Sequence, residues 1–90
     1  MAAAEAIVDV TNSMGIHVRT AAILASTAIH FLSTISISFG SETVDARSAV
    51  ELVALGVGRG ARVKISAHGR DAVDAVGAIK KLFENRFGED

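Results

Sequence analysis

Thr34-Ile35-Ser36-Ile37-Ser38-Phe39 alternates polar and apolar residues without interruption. Side chains along a strand point to opposite faces in turn, so this hexapeptide reads as a strand with one wet face and one buried face. A sheet with one solvated face excludes an all-parallel architecture buried on both sides. It also excludes a bundle of helices alone. Ala61-Arg62-Val63-Lys64-Ile65-Ser66-Ala67 repeats the alternation and predicts a second half-buried strand.

The rest of the chain fits around these two strands. Ala6–Val10, with Ile7, Val8 and Val10, predicts a short strand that ends at the polar cluster Thr11-Asn12-Ser13. Gly40-Ser41 is a turn, and residues 42–46 return as a hairpin partner of 34–39. A helix is predicted from about Arg19 to Phe31, with an apolar stripe of Ala21, Leu24, Ala25, Ala28, Phe31 and Leu32. Its start lacks a Ser, Thr or Asp at Val18, which leaves amides seeking an acceptor. Ser48, with Glu51 three residues on, fits a capping box for a short helix that ends at Leu55-Gly56. Asp71 is placed to cap a last helix reaching about Phe87, with a stripe of Ala72, Val73, Val76, Ile79, Leu82 and Phe83. Lys80, Lys81 and Arg86 suit its negative end, and Gly88-Glu89-Asp90 reads as a frayed tail.

The order is therefore β-α-β-β-α-β-α. It predicts an α/β (α+β) open-faced sandwich, with one four-stranded antiparallel sheet covered by three helices on one face. No repeat or linker divides residues 1–90, so one domain is expected.

Composition narrows the function classes. The chain has no cysteine, which removes disulfides, thiolate chemistry and the soft ligand of structural zinc. A net charge of −1 gives no general case for nucleic-acid binding. Tyrosine and tryptophan are absent, so a wet sheet face lacks the aromatic platforms that stack RNA bases. No run approaches a membrane span, and Met1–Glu5 lacks the basic and apolar parts of a signal peptide, so a cytoplasmic location is expected. Gly56-Val57-Gly58-Arg59-Gly60 is glycine-rich, but no Lys-Ser/Thr follows. It reads as a helix end and a turn, not a phosphate loop. His30 and His68 read as structural or surface histidines, and three histidines without clustered acids make no metal site. No cofactor is expected.

Gly15-Ile16-His17-Val18-Arg19-Thr20 carries the chemistry. A tight turn leads a histidine into a helix start, where unpaired amides and the helix dipole favour an anion. Imidazole titrates near physiological pH, and the Arg19 guanidinium suits phosphate. Histidine–arginine pairs are common, so these residues alone also fit an ordinary surface histidine. Exposed apolar residues on the short helix, Val50, Val53 and Ala54, fit an interaction surface.

Taken together, Gly15-Ile16-His17-x-Arg19, Arg47-Ser48 opening a short helix, the Leu55-Gly56 end and the element order resemble the histidine-containing phosphocarrier (HPr) family of the bacterial phosphoenolpyruvate-dependent phosphotransferase system. His17 and Ser48 lie 31 positions apart, matching the family's spacing between phosphorylatable histidine and regulatory serine. The resemblance implies that His17 carries a phosphoryl group on Nδ1, received from enzyme I and passed to an acceptor such as an EIIA-type sugar-permease subunit. Arg19 would contact the phosphate, with Val18, Arg19 and Thr20 forming the phosphate-binding helix start. Ser48 would be the residue modified by an ATP-dependent HPr kinase/phosphorylase. Ala49, Val50, Val53 and Ala54 would form the docking surface of a monomeric carrier. An alternative is a regulatory binding module switched at Ser48.

The chain departs from the family pattern in several places. Thr20 stands where the family has a proline that pre-shapes the first helical turn, and its hydroxyl is available for a phosphate contact. Val18 precedes Arg19, Ala49 is small, and Glu51 adds an acid near the docking face. Ser26 and Ile29 replace basic residues of the first helix.

Overall fold

The computed structural model describes residues 2–89. The alternation of the sequence becomes the two faces of one sheet. Ile35, Ile37, Val63, Ile65 and Ala67 are buried, whereas Thr34, Arg62, Lys64 and His68 are exposed. Four strands, β1 (Ala3–Asp9), β2 (Thr34–Phe39), β3 (Glu42–Asp45) and β4 (Arg62–His68), lie in the order β1-β4-β2-β3. Every pairing is antiparallel. β2 and β3 form the expected hairpin, with Phe39 opposite Glu42. Helices α1 (Val18–Ala28), α2 (Ala49–Ala54) and α3 (Ala72–Glu84) cover the buried face. The result is the open-faced α+β sandwich.

Leu24, Ile35, Ile37, Leu52, Ile65, Ile79 and Phe83 are fully enclosed between sheet and helices. A buried side chain of this size contributes roughly 1.5–3 kcal/mol relative to its exposed state. The open face carries paired charges instead: Arg62 Nε lies 3.0 Å from Asp9 Oδ1, and Lys64 Nζ lies 4.0 Å from Glu5 Oε2. Among the described residues no helix is long and apolar enough to cross a membrane.

The boundaries differ from the sequence expectation where tertiary pairing overrides local preference. β1 begins at Ala3 and ends at Asp9, because pairing with β4 from Ala3–His68 to Asp9–Arg62 enlists the alanine-rich start. α1 ends at Ala28 rather than Phe31. The next turn closes with His30 N–H donating to Thr27 O and Phe31 N–H to Ala28 O. Leu32 consequently leaves the helical register and is 78% exposed instead of packed. Val73 likewise faces outward at the start of α3.

Asp71 does not cap α3 through its side chain. Its carboxylate crosses to the loop after α1, where Leu32 N–H and Ser33 N–H each donate at 2.9 Å, joined by the Ser33 hydroxyl. These hydrogen bonds lower its pKa, the Ser33 hydroxyl most of all. At Ser48, half of the expected capping box forms, with Glu51 N–H donating to Ser48 Oγ at 3.2 Å.

The C-terminal end differs most. α3 stops at Glu84, and residues Arg86 and Phe87 adopt left-handed backbone at φ 55° and 54°. Two adjacent non-glycine residues there are uncommon and costly. Phe87 meets Phe83 edge to face, with ring centroids 4.9 Å apart. That contact reverses the chain, so Glu89 is not frayed but returns to the start of α1.

Candidate functional site

His17 is the N-cap of α1, one residue before the position the sequence suggested for the cap. Its extended backbone, φ −126° and ψ −173°, lets the imidazole fold over the first turn. Arg19 N–H donates to Nδ1 at 3.3 Å. Thr20 completes the reciprocal half, its Oγ1 accepting from His17 N–H at 3.0 Å. The helix start that lacked a cap at Val18 is therefore capped by the histidine itself.

Thr20 is fully buried, and its hydroxyl donates to Gly15 O at 2.9 Å. It faces inward, so the expected hydroxyl contact with a phosphate is replaced by a structural role. The turn before His17 is equally constrained. Gly15 takes φ 64°, and a Cβ there would lie 2.3 Å from Val57 O and 2.7 Å from Gly58 Cα. Only glycine fits. Ile16 N–H donates to Val57 O at 2.9 Å, which ties the histidine turn to the glycine-rich connection after α2.

The imidazole's other nitrogen is held by a residue that local pattern did not single out. Glu89 Oε1 lies 3.1 Å from His17 Nε2, while Glu89 Oε2 accepts from Arg19 Nη2. Asn12 Nδ2 donates to the same Oε1 at 3.0 Å and to Gly15 O at 2.8 Å. Hydrogen bonds from Arg19, then Asn12 and His17, lower the Glu89 pKa to about 2, so its carboxylate is ionised at neutral pH. Asn12 is buried, and its Oδ1 has no hydrogen-bond partner among the described residues. Leaving such an acceptor unpaired costs about 1–3 kcal/mol. Glu89 sat in a tail read from its glycine and acids, and Asn12 in a polar cluster read as a loop. The one local signal was the apolar Phe87 just before Gly88.

The Arg19 guanidinium is otherwise exposed beside the imidazole, and α1 has no acidic residue in its first turn. A helix start of this kind favours an incoming anion. An anion on Nδ1 would place its oxygens where Arg19 N–H already points. Next to this start, Val18, Ala49, Val50 and Val53 line a shallow apolar depression of about 260 Å³. Val50 is 81% exposed. Val18 thus adds an apolar side chain beside the histidine, whereas Ala54 is exposed on α2 outside the depression's lining. Ser48, the N-cap of α2, immediately precedes Ala49 of that lining. Beside Ser48, Arg47 hydrogen-bonds Asp45 and lowers the pKa of that carboxylate.

His30 and His68 are exposed. Among the described residues no group of three or more His, Cys, Asp or Glu side chains is placed to hold a metal ion.

Comparison with known proteins agrees with this geometry. A family model described as the PTS HPr component phosphorylation site matches residues 4–85. The phosphocarrier protein HPr of Xylella fastidiosa is 36% identical over 81 residues, covering 90% of this chain and 91% of that protein. The HPr of Treponema pallidum is 35% identical over 83 residues, covering 92% and 94%. Among solved structures, HPr-C-His from Thermoanaerobacter tengcongensis superposes with a TM-score of 0.92 at 37% identity, covering 97% of this chain and 98% of that one. Glu89 lies beyond the span of the family match. With matching fold, length and sequence, this chain belongs to the HPr family of phosphotransferase-system phosphocarriers.

Proposed function

We propose that His17 carries a phosphoryl group on Nδ1, accepting it from phosphoenolpyruvate-charged enzyme I and passing it to an EIIA-type acceptor of a sugar permease. The observation that carries this reading is the Arg19 backbone N–H aimed at Nδ1, with the Arg19 guanidinium alongside. Phosphoryl oxygens on Nδ1 would receive a charge-assisted hydrogen bond from a donor already in position. The imidazole is half-buried beside an exposed Arg19 side chain, which leaves the site open to a partner on one side, as a relay requires. Val18, Ala49, Val50 and Val53 offer the partner an apolar patch bordering the histidine, with Ala54 at its margin. The reading includes a cytoplasmic, monomeric carrier.

Ser48 supports a regulatory reading of the same surface. A phosphoryl group there would stand at the rim of the apolar depression and beside Glu51, whose amide now bonds Ser48 Oγ. It would add negative charge to a face that must otherwise dock. An HPr kinase/phosphorylase would give ATP-dependent, acid-stable label at Ser48.

Incubation with enzyme I and labelled phosphoenolpyruvate tests the carrier role. Acid-labile, base-stable label lost in His17→Ala is expected. Equal labelling of that variant would remove His17 from the role.

A further inference from the structure

Two side chains outside the histidine motif touch the carrier residue's surroundings, and both are polar, oriented and separated by almost the whole chain. Asn12 Nδ2 bridges Gly15 O, in the turn before His17, to Glu89 Oε1. That same oxygen lies 3.1 Å from His17 Nε2.

We propose that Asn12 and Glu89 act as a positioning pair that holds the His17 imidazole with its proton on Nε2, so that Nδ1 carries the lone pair that receives the phosphoryl group once the Arg19 N–H hydrogen bond to it opens. This rests on the carrier reading of His17. An ionised carboxylate can only accept hydrogen bonds, so the imidazole nitrogen facing Glu89 must be the donor. In the neutral ring the other nitrogen then holds the lone pair. Arg19 N–H, which points at Nδ1, requires the same tautomer. Both neighbours agree.

During transfer the Nδ1 lone pair forms the N–P bond. The bond from phosphorus to the donor's leaving atom breaks, and its electron pair departs with the donor. Nε2 keeps its proton throughout, so the phosphorylated ring is an imidazolium facing the Glu89 carboxylate. No proton has to leave. Asn12 does not touch the reacting nitrogen; it acts through Glu89, by fixing the carboxylate to the turn that carries His17.

The test reads the imidazole 15N shifts of His17 in the unphosphorylated full chain at a pH near 8.5, about two units above the ordinary imidazole pKa. Exposed His30 and His68 serve as references. In the unmodified protein the two ring nitrogens of His17 should be separated further than those of the references. Glu89→Gln, whose amide can donate as well as accept, should narrow that separation towards theirs. Asn12→Ala should narrow it in part, and the double variant should add nothing to Glu89→Gln. With enzyme I, both single variants should lower kcat with little change in KM.

Unchanged His17 shifts in Glu89→Gln would overturn the proposal. Additive narrowing in the double variant would reduce Asn12 to a structural residue and overturn its part. If Asn12→Ala does not fold, Glu89→Gln decides alone. The shifts are read without any transfer, so failure of His17 labelling in the unmodified protein would defeat the carrier reading and leave this measurement standing.

Discussion

The carboxylate of Glu89 meets His17 Nε2 at 3.1 Å across 72 residues of sequence. Its second oxygen takes the guanidinium of Arg19. The end of the chain therefore places a fixed negative charge behind the imidazole, while the helix start presents donors in front. On the proposed reading, the donors in front would face the oxygens of a phosphoryl group on Nδ1, while the carboxylate behind would face the positive charge left on the ring at Nε2.

That relationship makes stability depend on acid. Glu89 has a pKa of about 2 in the folded protein against an ordinary 4.5. A carboxyl group that is more acidic when folded stabilises the fold fully above its unfolded pKa, and the contribution disappears as pH falls through the folded value. Glu89→Gln has no such ionisation. The stability gap between the two proteins should shrink as the pH falls below the ordinary 4.5 and close as it approaches about 2. Urea unfolding at a series of pH values measures it.

Gly15→Ala should be among the most damaging single changes in the site. The added Cβ would stand 2.3 Å from Val57 O, in a backbone conformation at φ 64° that alanine disfavours. The neighbouring atoms are backbone and cannot rotate away. A loss of about 2 kcal/mol or more is expected, read from the urea midpoint. Since the turn bears His17, phosphoryl acceptance should fall with it.

The sheet was legible because its signal is local. Ile35 and Ile37 on one strand, and Val63, Ile65 and Ala67 on another, announce one buried face by their spacing, and they occupy it. The helix starts at His17 and Ser48 were legible from their neighbouring residues, and the structure places both as N-caps. Asn12 and Glu89 were not legible. They are 77 positions apart, and what joins them is the reversal at Arg86 and Phe87, where non-glycine residues adopt a backbone that local propensity argues against. Asp71 misled for the same reason. Its carboxylate serves amides 38 and 39 positions away rather than its own helix.

The apolar depression separates docking from folding. Val50 and Val53 are exposed, so Val50→Asp should alter stability by no more than about 0.5 kcal/mol. The same change places a charge in a patch lined by Val18, Ala49 and Val53. Transfer kinetics with enzyme I should show a raised KM and a nearly unchanged kcat, the pattern of lost binding rather than lost chemistry. A reduced kcat at unchanged KM would instead place Val50 in the reaction itself.

Thr20 stands where relatives of this kind were expected to carry proline, and its geometry shows why proline is not needed. The hydroxyl accepts from His17 N–H and donates to Gly15 O, both inside the protein. These two bonds fix the turn and the cap together, which a proline ring would do only by restricting its own φ. Thr20→Val keeps the shape and removes the hydroxyl. It leaves His17 N–H without its partner, while Gly15 O retains Asn12. A loss of about 1–3 kcal/mol is expected. Thr20→Pro removes the same hydroxyl and a backbone donor at N3, so it should destabilise this chain rather than stiffen it. Thermal unfolding of the two variants beside the unmodified protein decides the matter: a Thr20→Pro protein that melts higher would mean that the hydroxyl contributes less than the ring's rigidity.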